Sequence, residues 1–391
     1  MNSKNNIIKK NVIDLVKIVA NKGPKDLHVP YIKKKEKNYL LNCLKSNVVS
    51  SVGKFTFEFE RKLKNFTKSK YALVVNSGTS GLHLSMIACD LQRNDEVLMP
   101  AFNFIASANA VSYLGGIPHF VEIENKTLGI DPIKLENYLK KNLRKRGNFY
   151  FNKNTNNRVK ALIITHVFGH SAKINSLIKI AKKFKISVAE DASEALGSYY
   201  KQKHLGTFGD IGVLSFNGNK IITTGGGGAI LTNNKKIFNL LKHISTTAKI
   251  KHRWEYSYNK VGYNYRMPSL NAALGCAQLK SLNKLIEAKR KLFLKYEKTL
   301  NKNKYIRMFK EPTNCKSNYW LQTLIFKNKD KKLQIEILNK LNNLGYLCRP
   351  PWNLLVSNSP YKNCPSMKLN VSNEMRYKLI NLPSSPSLIL K

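Results

Sequence analysis

Acidic side chains are scarce in this chain: 23 Asp and Glu stand against 67 Lys and Arg, a formal net charge of +44. That imbalance first suggests a phosphate-rich polymer as partner. The lysines, however, are spread over the whole length among asparagines and isoleucines rather than gathered in a stripe or tail. The pattern is drift at exposed positions, so no nucleic-acid partner is expected, and the charge is left to steer anionic small molecules. Paired cysteines are also missing. Cys43, Cys89, Cys276, Cys315, Cys348 and Cys364 include no CxxC, so neither a zinc site nor a disulfide framework is suggested, and a cytoplasmic location is expected. No apolar run approaches the roughly 20 residues of a membrane span. Asp14 and Lys17 interrupt the basic N-terminal stretch, which makes it a poor signal peptide.

What is present is ordinary globular material, 42% hydrophobic and 10% aromatic. At 391 residues, two domains are expected. The expected division is an N-terminal extension over 1–26, a large domain over 27–285 and a small α+β domain over 286–391. In the extension, Ile8, Val12, Leu15, Val16 and Val19 form one helical stripe, with Gly23–Pro24 as its stop. From Tyr71 the pattern alternates. Strands are expected at 71–75, 96–100, 117–121, 160–165 and 186–190, with helices between them. The basic stretch 139–160 reads as a surface hairpin around Gly147. A lysine-rich helix is expected from about Leu282, then a strand over 320–326 and a helix over 333–344. The final LPSSPSLILK shows no helix pattern. This rhythm predicts an α/β fold with a mostly parallel, doubly wound sheet, in which ligands bind beyond the carboxyl ends of strands.

The residues just after strands therefore deserve the closest reading. Lys220 follows the strand-like Ile211–Ser215 on a polar turn and precedes the glycine run Gly225–Gly228. A lysine on a turn between two buried strands is partly removed from water, which favours the neutral amine that attacks carbonyls. Its bland alternative is a side chain that snorkels to solvent. After the first strand, Gly78 and Thr79 stand where a helix begins, a natural anion site or simply a helix cap. Asp191 closes another strand, suited to hold a protonated ring nitrogen, while Glu190 should face away. Glu194 is placed to reach the same cavity. A metal site from Glu190, Asp191 and Glu194 is the rival, but it lacks histidine or cysteine at ligand spacing. Phe104 suits ring stacking or a core, Ser215 suits a phosphate, and His166 suits a structural hydrogen bond. A phosphate cradle, a stacking ring, a carboxylate and a reactive lysine together are what pyridoxal phosphate requires.

NSGTSGLHL, PAFNFIASANAV, EDASEALGS, SFNGNK followed by TTGGGG, and GYNYRMPSLNAALG occur together. In combination they resemble the sugar aminotransferases of the DegT/DnrJ/EryC1/StrS family, pyridoxal-phosphate enzymes of the aspartate-aminotransferase fold. The resemblance runs from about Val29 to Pro383. It is greatest to the branch acting on UDP-linked 4-keto-6-deoxy-N-acetylhexosamines, of legionaminic acid or bacillosamine type. It implies amination of C4 of a nucleotide-linked keto sugar by glutamate, for surface polysaccharide or glycan synthesis. By motif, Lys220 resembles the cofactor-carrying lysine and Asp191 the partner of the pyridine nitrogen. Gly78, Thr79 and Ser215 resemble phosphate ligands, and Phe104 the stacked residue. Glu194 stands where many relatives have Gln or His. Asn264 resembles the asparagine that reaches the phosphate of a neighbouring subunit, which implies a homodimer with a shared active site. Arg266 and Arg349 are candidates for the substrate diphosphate, or else for ion pairs. Two rival functions are a pyridoxal-phosphate dehydratase or epimerase of sugar nucleotides, and a non-catalytic nucleic-acid-binding derivative.

Overall fold

The computed structural model describes residues 2–21, 23 and 25–390. Its centre is a seven-stranded sheet. In spatial order the strands are Tyr71–Val75, Gly228–Thr232, Ile211–Ser215, Ser187–Asp191, Val159–Thr165, Glu96–Pro100 and Ile117–Val121. Only Gly228–Thr232 runs antiparallel to its neighbours, so the sheet is mostly parallel as expected. Its strands are buried on both faces, and so they read as continuous runs such as YALVV and VKALIIT. The helices Gly78–Ala88, Ala106–Ser112 and Ile174–Lys183 fill the crossovers.

The predicted hairpin is present, Leu143–Arg146 pairing with Phe149–Asn152. Its two-residue turn needs a left-handed residue, and Gly147 supplies it at φ +57°. Three segments depart from expectation. The long helix starts at Ser269, not near Leu282, and runs unbroken to Leu300. Its first turns, SLNAALG, are small and apolar because they lie buried against Phe59 and Thr224. The strand expected from Trp320 begins only at Gln322, because Trp320 and Leu321 bend toward the central cavity. The chain's last stretch holds a single 3₁₀ turn, Pro386–Leu388.

The N-terminal stripe forms the helix Asn2–Ala20. Ile8, Val12, Leu15, Val16 and Val19 are all buried. They share one apolar cluster with Leu292 and Tyr296 of the long helix, Ile337 and Leu341 of the Lys331–Asn343 helix, and Leu324 and Ile380. Those last two belong to a three-stranded antiparallel sheet of Ile306–Met308, Gln322–Phe326 and Leu379–Leu382. The first helix of the chain is thus packed on its last third. The helix ends at Ala20; of the expected Gly23–Pro24 stop, Pro24 lies outside the described residues.

Candidate active site

A cavity of about 450 Å³ opens at the carboxyl ends of the central strands. Gly78, Thr79, Phe104, Asp191, Glu194, Ser215 and Lys220 all line it, and Arg349 lines it too. Residues from widely separated motifs therefore converge on one volume.

At one end the Gly78–Ala88 helix begins. Ser77 caps it by accepting from the Ser80 N–H, which leaves the Gly78 and Thr79 N–H groups without an acceptor among the described residues. Free N–H groups at a helix start attract anions. The helix start lies this close to the neighbouring strand because Gly228 has no side chain. A Cβ there would sit 2.7 Å from the Gly78 nitrogen. Ser215, on the strand beside it, places its Oγ 3.2 Å from where a Gly78 Cβ would be. Small residues on three elements thus keep the space beside these N–H groups free of side chains.

Asp191 ends the Ser187–Asp191 strand inside the cavity. Its Oδ2 accepts from the Ser107 hydroxyl at 2.6 Å and its Oδ1 from the Ser193 N–H at 3.2 Å. Asn103 donates to Ser107 and to Thr165, tying the carboxylate to two further elements. Glu190 points to the other side of the sheet, as alternation requires. Burial pushes its carboxyl up, but hydrogen bonds from His166 and from the Gly206 and Gly209 N–H groups outweigh this and hold it below its ordinary value. His166 accepts from the Ala172 N–H on Nδ1, so Nε2 carries the proton toward Glu190 at 3.0 Å. Glu190 therefore faces away from the cavity that Asp191 and Glu194 share, and no cluster of His, Cys, Asp and Glu fit to hold a metal stands among the described residues.

Lys220 lies in the loop joining the paired strands Ile211–Ser215 and Gly228–Thr232. Its Nζ is 3.3 Å from Glu194 Oε1 and 4.0 Å from the centre of the Trp320 ring. The lysine is largely buried yet not isolated, as a buried cation requires. Glu194 also accepts from the Phe168 N–H at 2.8 Å. Burial pushes the Glu194 carboxyl up, against the pull of Lys220 and of that N–H. Phe104 is 53% exposed. It lines the cavity rather than packing in the core, which suits stacking.

Two candidates lie elsewhere. Arg266 does not line the cavity. Its guanidinium is buried 2.8 Å from Glu60 on the Lys54–Thr67 helix, because a buried guanidinium needs a carboxylate beside it. Of the two roles expected of Arg266, the ion pair is the one seen among the described residues. Asn264 is exposed outside the cavity, with its carbonyl accepting from Asn76 at 3.4 Å. Arg349 stands exposed at the mouth beside Pro350, Pro351 and Trp352. Sequence reading missed Asn103, Ser107, Thr165 and Asn381, which no periodicity singles out. It also missed Trp320 and Trp352. Their rarity was a signal, since both belong to a set of only three tryptophans in the chain.

The donor set fits a phosphorylated pyridine aldehyde: free N–H groups for the phosphate, a hydrogen-bonded carboxylate for the ring nitrogen, an open aromatic face and an amine. On a mostly parallel sheet with this connectivity, such a site defines an aminotransferase of the pyridoxal-phosphate-dependent type. Residues 30–391 match the DegT/DnrJ/EryC1/StrS aminotransferase family, and the chain belongs to it. GDP-perosamine synthase of Escherichia coli O157:H7 is 33% identical over 364 residues, 93% of each chain. The UDP-4-amino-4,6-dideoxy-N-acetyl-beta-L-altrosamine transaminase of Campylobacter jejuni strain 81-176 is 33% identical over 73% of this chain and 72% of its own. Among solved structures, Helicobacter pylori PseC, an aminotransferase involved in the biosynthesis of pseudoaminic acid, aligns with a TM-score of 0.84 at 27% identity. That match covers 93% of this chain and 94% of PseC. No helix of the described residues is long and apolar enough to cross a membrane.

Proposed function

We propose that the protein transfers an amino group from glutamate to C4 of a nucleotide-linked 4-keto-6-deoxy sugar, in the cytoplasm, for surface polysaccharide or glycan synthesis. The observation that carries this reading is the convergence of Lys220, Asp191 and the start of the Gly78–Ala88 helix on one cavity. Pyridoxal phosphate, when bound, supplies the electron sink for proton removal at the carbon bearing nitrogen. The chain's own residues do the rest. Gly78 and Thr79 N–H groups and the Ser215 hydroxyl bind the phosphate. Phe104 covers one ring face. Asp191, oriented by Ser107 and Ser193, holds the ring nitrogen protonated. Lys220 Nζ anchors the cofactor and, once released, carries the proton as base and then acid. Glu194, 3.3 Å from Lys220 Nζ, would hold that amine once it has taken up the proton. Arg349 at the mouth meets the anionic part of the substrate. Asn264, exposed outside the cavity, is assigned to the neighbouring subunit's phosphate in a homodimer.

The names of the relatives support both a GDP- and a UDP-linked sugar as substrate. The test is direct. Purified protein with pyridoxal phosphate should show a band at roughly 410–430 nm that Lys220→Ala removes. Glutamate should discharge that band, and a panel of UDP-, GDP- and dTDP-linked 4-keto sugars should restore it with one nucleotide. No band after cofactor addition, or dehydration rather than amination of every sugar offered, would overturn the proposal.

A further inference from the structure

Lys289 is buried inside the protein with no carboxylate beside it among the described residues. It lies on the long Ser269–Leu300 helix and is 0% exposed. Its Nζ donates to the carbonyl of Trp320 at 2.6 Å and to that of Ser384. Nothing in the reaction outlined above uses it. Lysine is almost never fully buried without an ionic partner, and an uncompensated buried charge is costly. A hydrogen-bonding residue whose only task was to join two loops would not need to be ionisable.

What Lys289 holds is the residue that touches Lys220. Trp320 is clamped at three points. Its carbonyl accepts from Lys289, its N–H donates to Asn318 Oδ1 at 2.8 Å, and its indole Nε1 donates to the Asn219 carbonyl at 2.7 Å. Asn219 immediately precedes Lys220. The indole ring then lies 4.0 Å from the Lys220 amine. One side chain thus fixes both the backbone entering Lys220 and the position of its nitrogen, opposite Glu194 at 3.3 Å. We propose that Lys289 is a positioning residue that acts through Trp320, holding the indole against Lys220 so that the amine, when not bonded to cofactor, rests between Trp320 and Glu194.

Further observations agree. Burial pushes the Lys289 amine well down from its ordinary range. His28 senses the same corner: burial first, then Lys289 and Lys220, hold its imidazole well below the ordinary value. An ammonium over an indole face is stabilised by the ring quadrupole, so an indole held in place sets how available the amine is.

The role rests on the function proposed for Lys220, and its test is separable from that function. Full-length protein freed of cofactor is trace-labelled with acetic anhydride at pH 8. Labelling of the Lys220 peptide is measured by mass spectrometry relative to Lys140 and Lys183, whose side chains are 54% and 53% exposed. Lys289→Met should raise Lys220 labelling about fivefold, the factor for losing a cation–π contact of ordinary strength. Trp320→Leu should raise it as much, and adding Lys289→Met to Trp320→Leu should raise it no further. Trp320→Phe, which keeps a ring but loses the bond to Asn219, covers the case in which Lys289→Met does not fold, and should give an intermediate rise. Unchanged Lys220 labelling in folded Lys289→Met, or in Trp320→Phe if Lys289→Met does not fold, overturns the proposal. So does an additive double variant. Failure of borohydride to fix pyridoxal phosphate on wild-type Lys220 would instead overturn the function and leave the labelling result intact.

Discussion

The contact between Lys220 and Glu194 can be measured before any cofactor is added. The two groups are 3.3 Å apart with side chains 13% and 7% exposed. At an effective dielectric of about 20 their attraction is about 5 kcal/mol. Desolvation takes back part of it, since burial is the largest influence on Glu194 and raises its carboxyl. Breaking a buried pair by removing one partner costs about 3–5 kcal/mol. The Phe168 N–H stays on the Glu194 carboxylate in Lys220→Met and softens the loss, so we expect a coupling of about 3 kcal/mol between Lys220→Met and Glu194→Gln at pH 8. The pH dependence has a definite sign. Glu194 in the folded state holds its proton more tightly than the ordinary carboxylate value of 4.5. Its contribution to stability is therefore present below that value and lost as pH rises through the raised one. Lys220→Met removes the cation that opposes this rise, so its penalty should be small near pH 4.5 and grow toward pH 8. Glu194→Gln should flatten the profile. Urea denaturation of the cofactor-free wild type, both single variants and the double variant gives the cycle at each pH. Additivity within about 0.5 kcal/mol at pH 8, or a coupling that does not change with pH, would refute the reasoning.

Three further outcomes are expected. Ser107→Ala removes the 2.6 Å hydrogen bond to Asp191 and should weaken pyridoxal-phosphate binding by about 1.5–3 kcal/mol in a fluorescence titration. Gly228→Ala forces a Cβ to within 2.7 Å of the Gly78 nitrogen; urea denaturation should show a loss of about 1–3 kcal/mol together with weaker cofactor affinity. Leu15→Ala in the N-terminal helix deletes a side chain 2% exposed and should cost about 2–4 kcal/mol in the same assay, whereas a loosely docked extension would show almost no change.

Much of the architecture was legible because it is local. Strands buried on both faces declare themselves as short apolar runs, and a helix start declares itself through Ser77, Gly78 and Thr79. Alternation alone separated Asp191 from Glu190. The errors came where long-range packing overruled local signals. Phe59 and Thr224 pack on the long helix where it reaches back to Ser269, and Trp320 leaves its expected strand to reach the cavity.

By itself, the order of residues determined the alternating α/β plan and the chemical types at the strand ends, because those depend on neighbours a few positions apart. Only the tertiary structure decided that Ser107 orients Asp191, that Glu194 meets Lys220, and that the first helix of the chain is buried on its last third. Those partners are brought together by the order of strands in the sheet and by burial of apolar faces. Neither leaves a periodic mark on the chain.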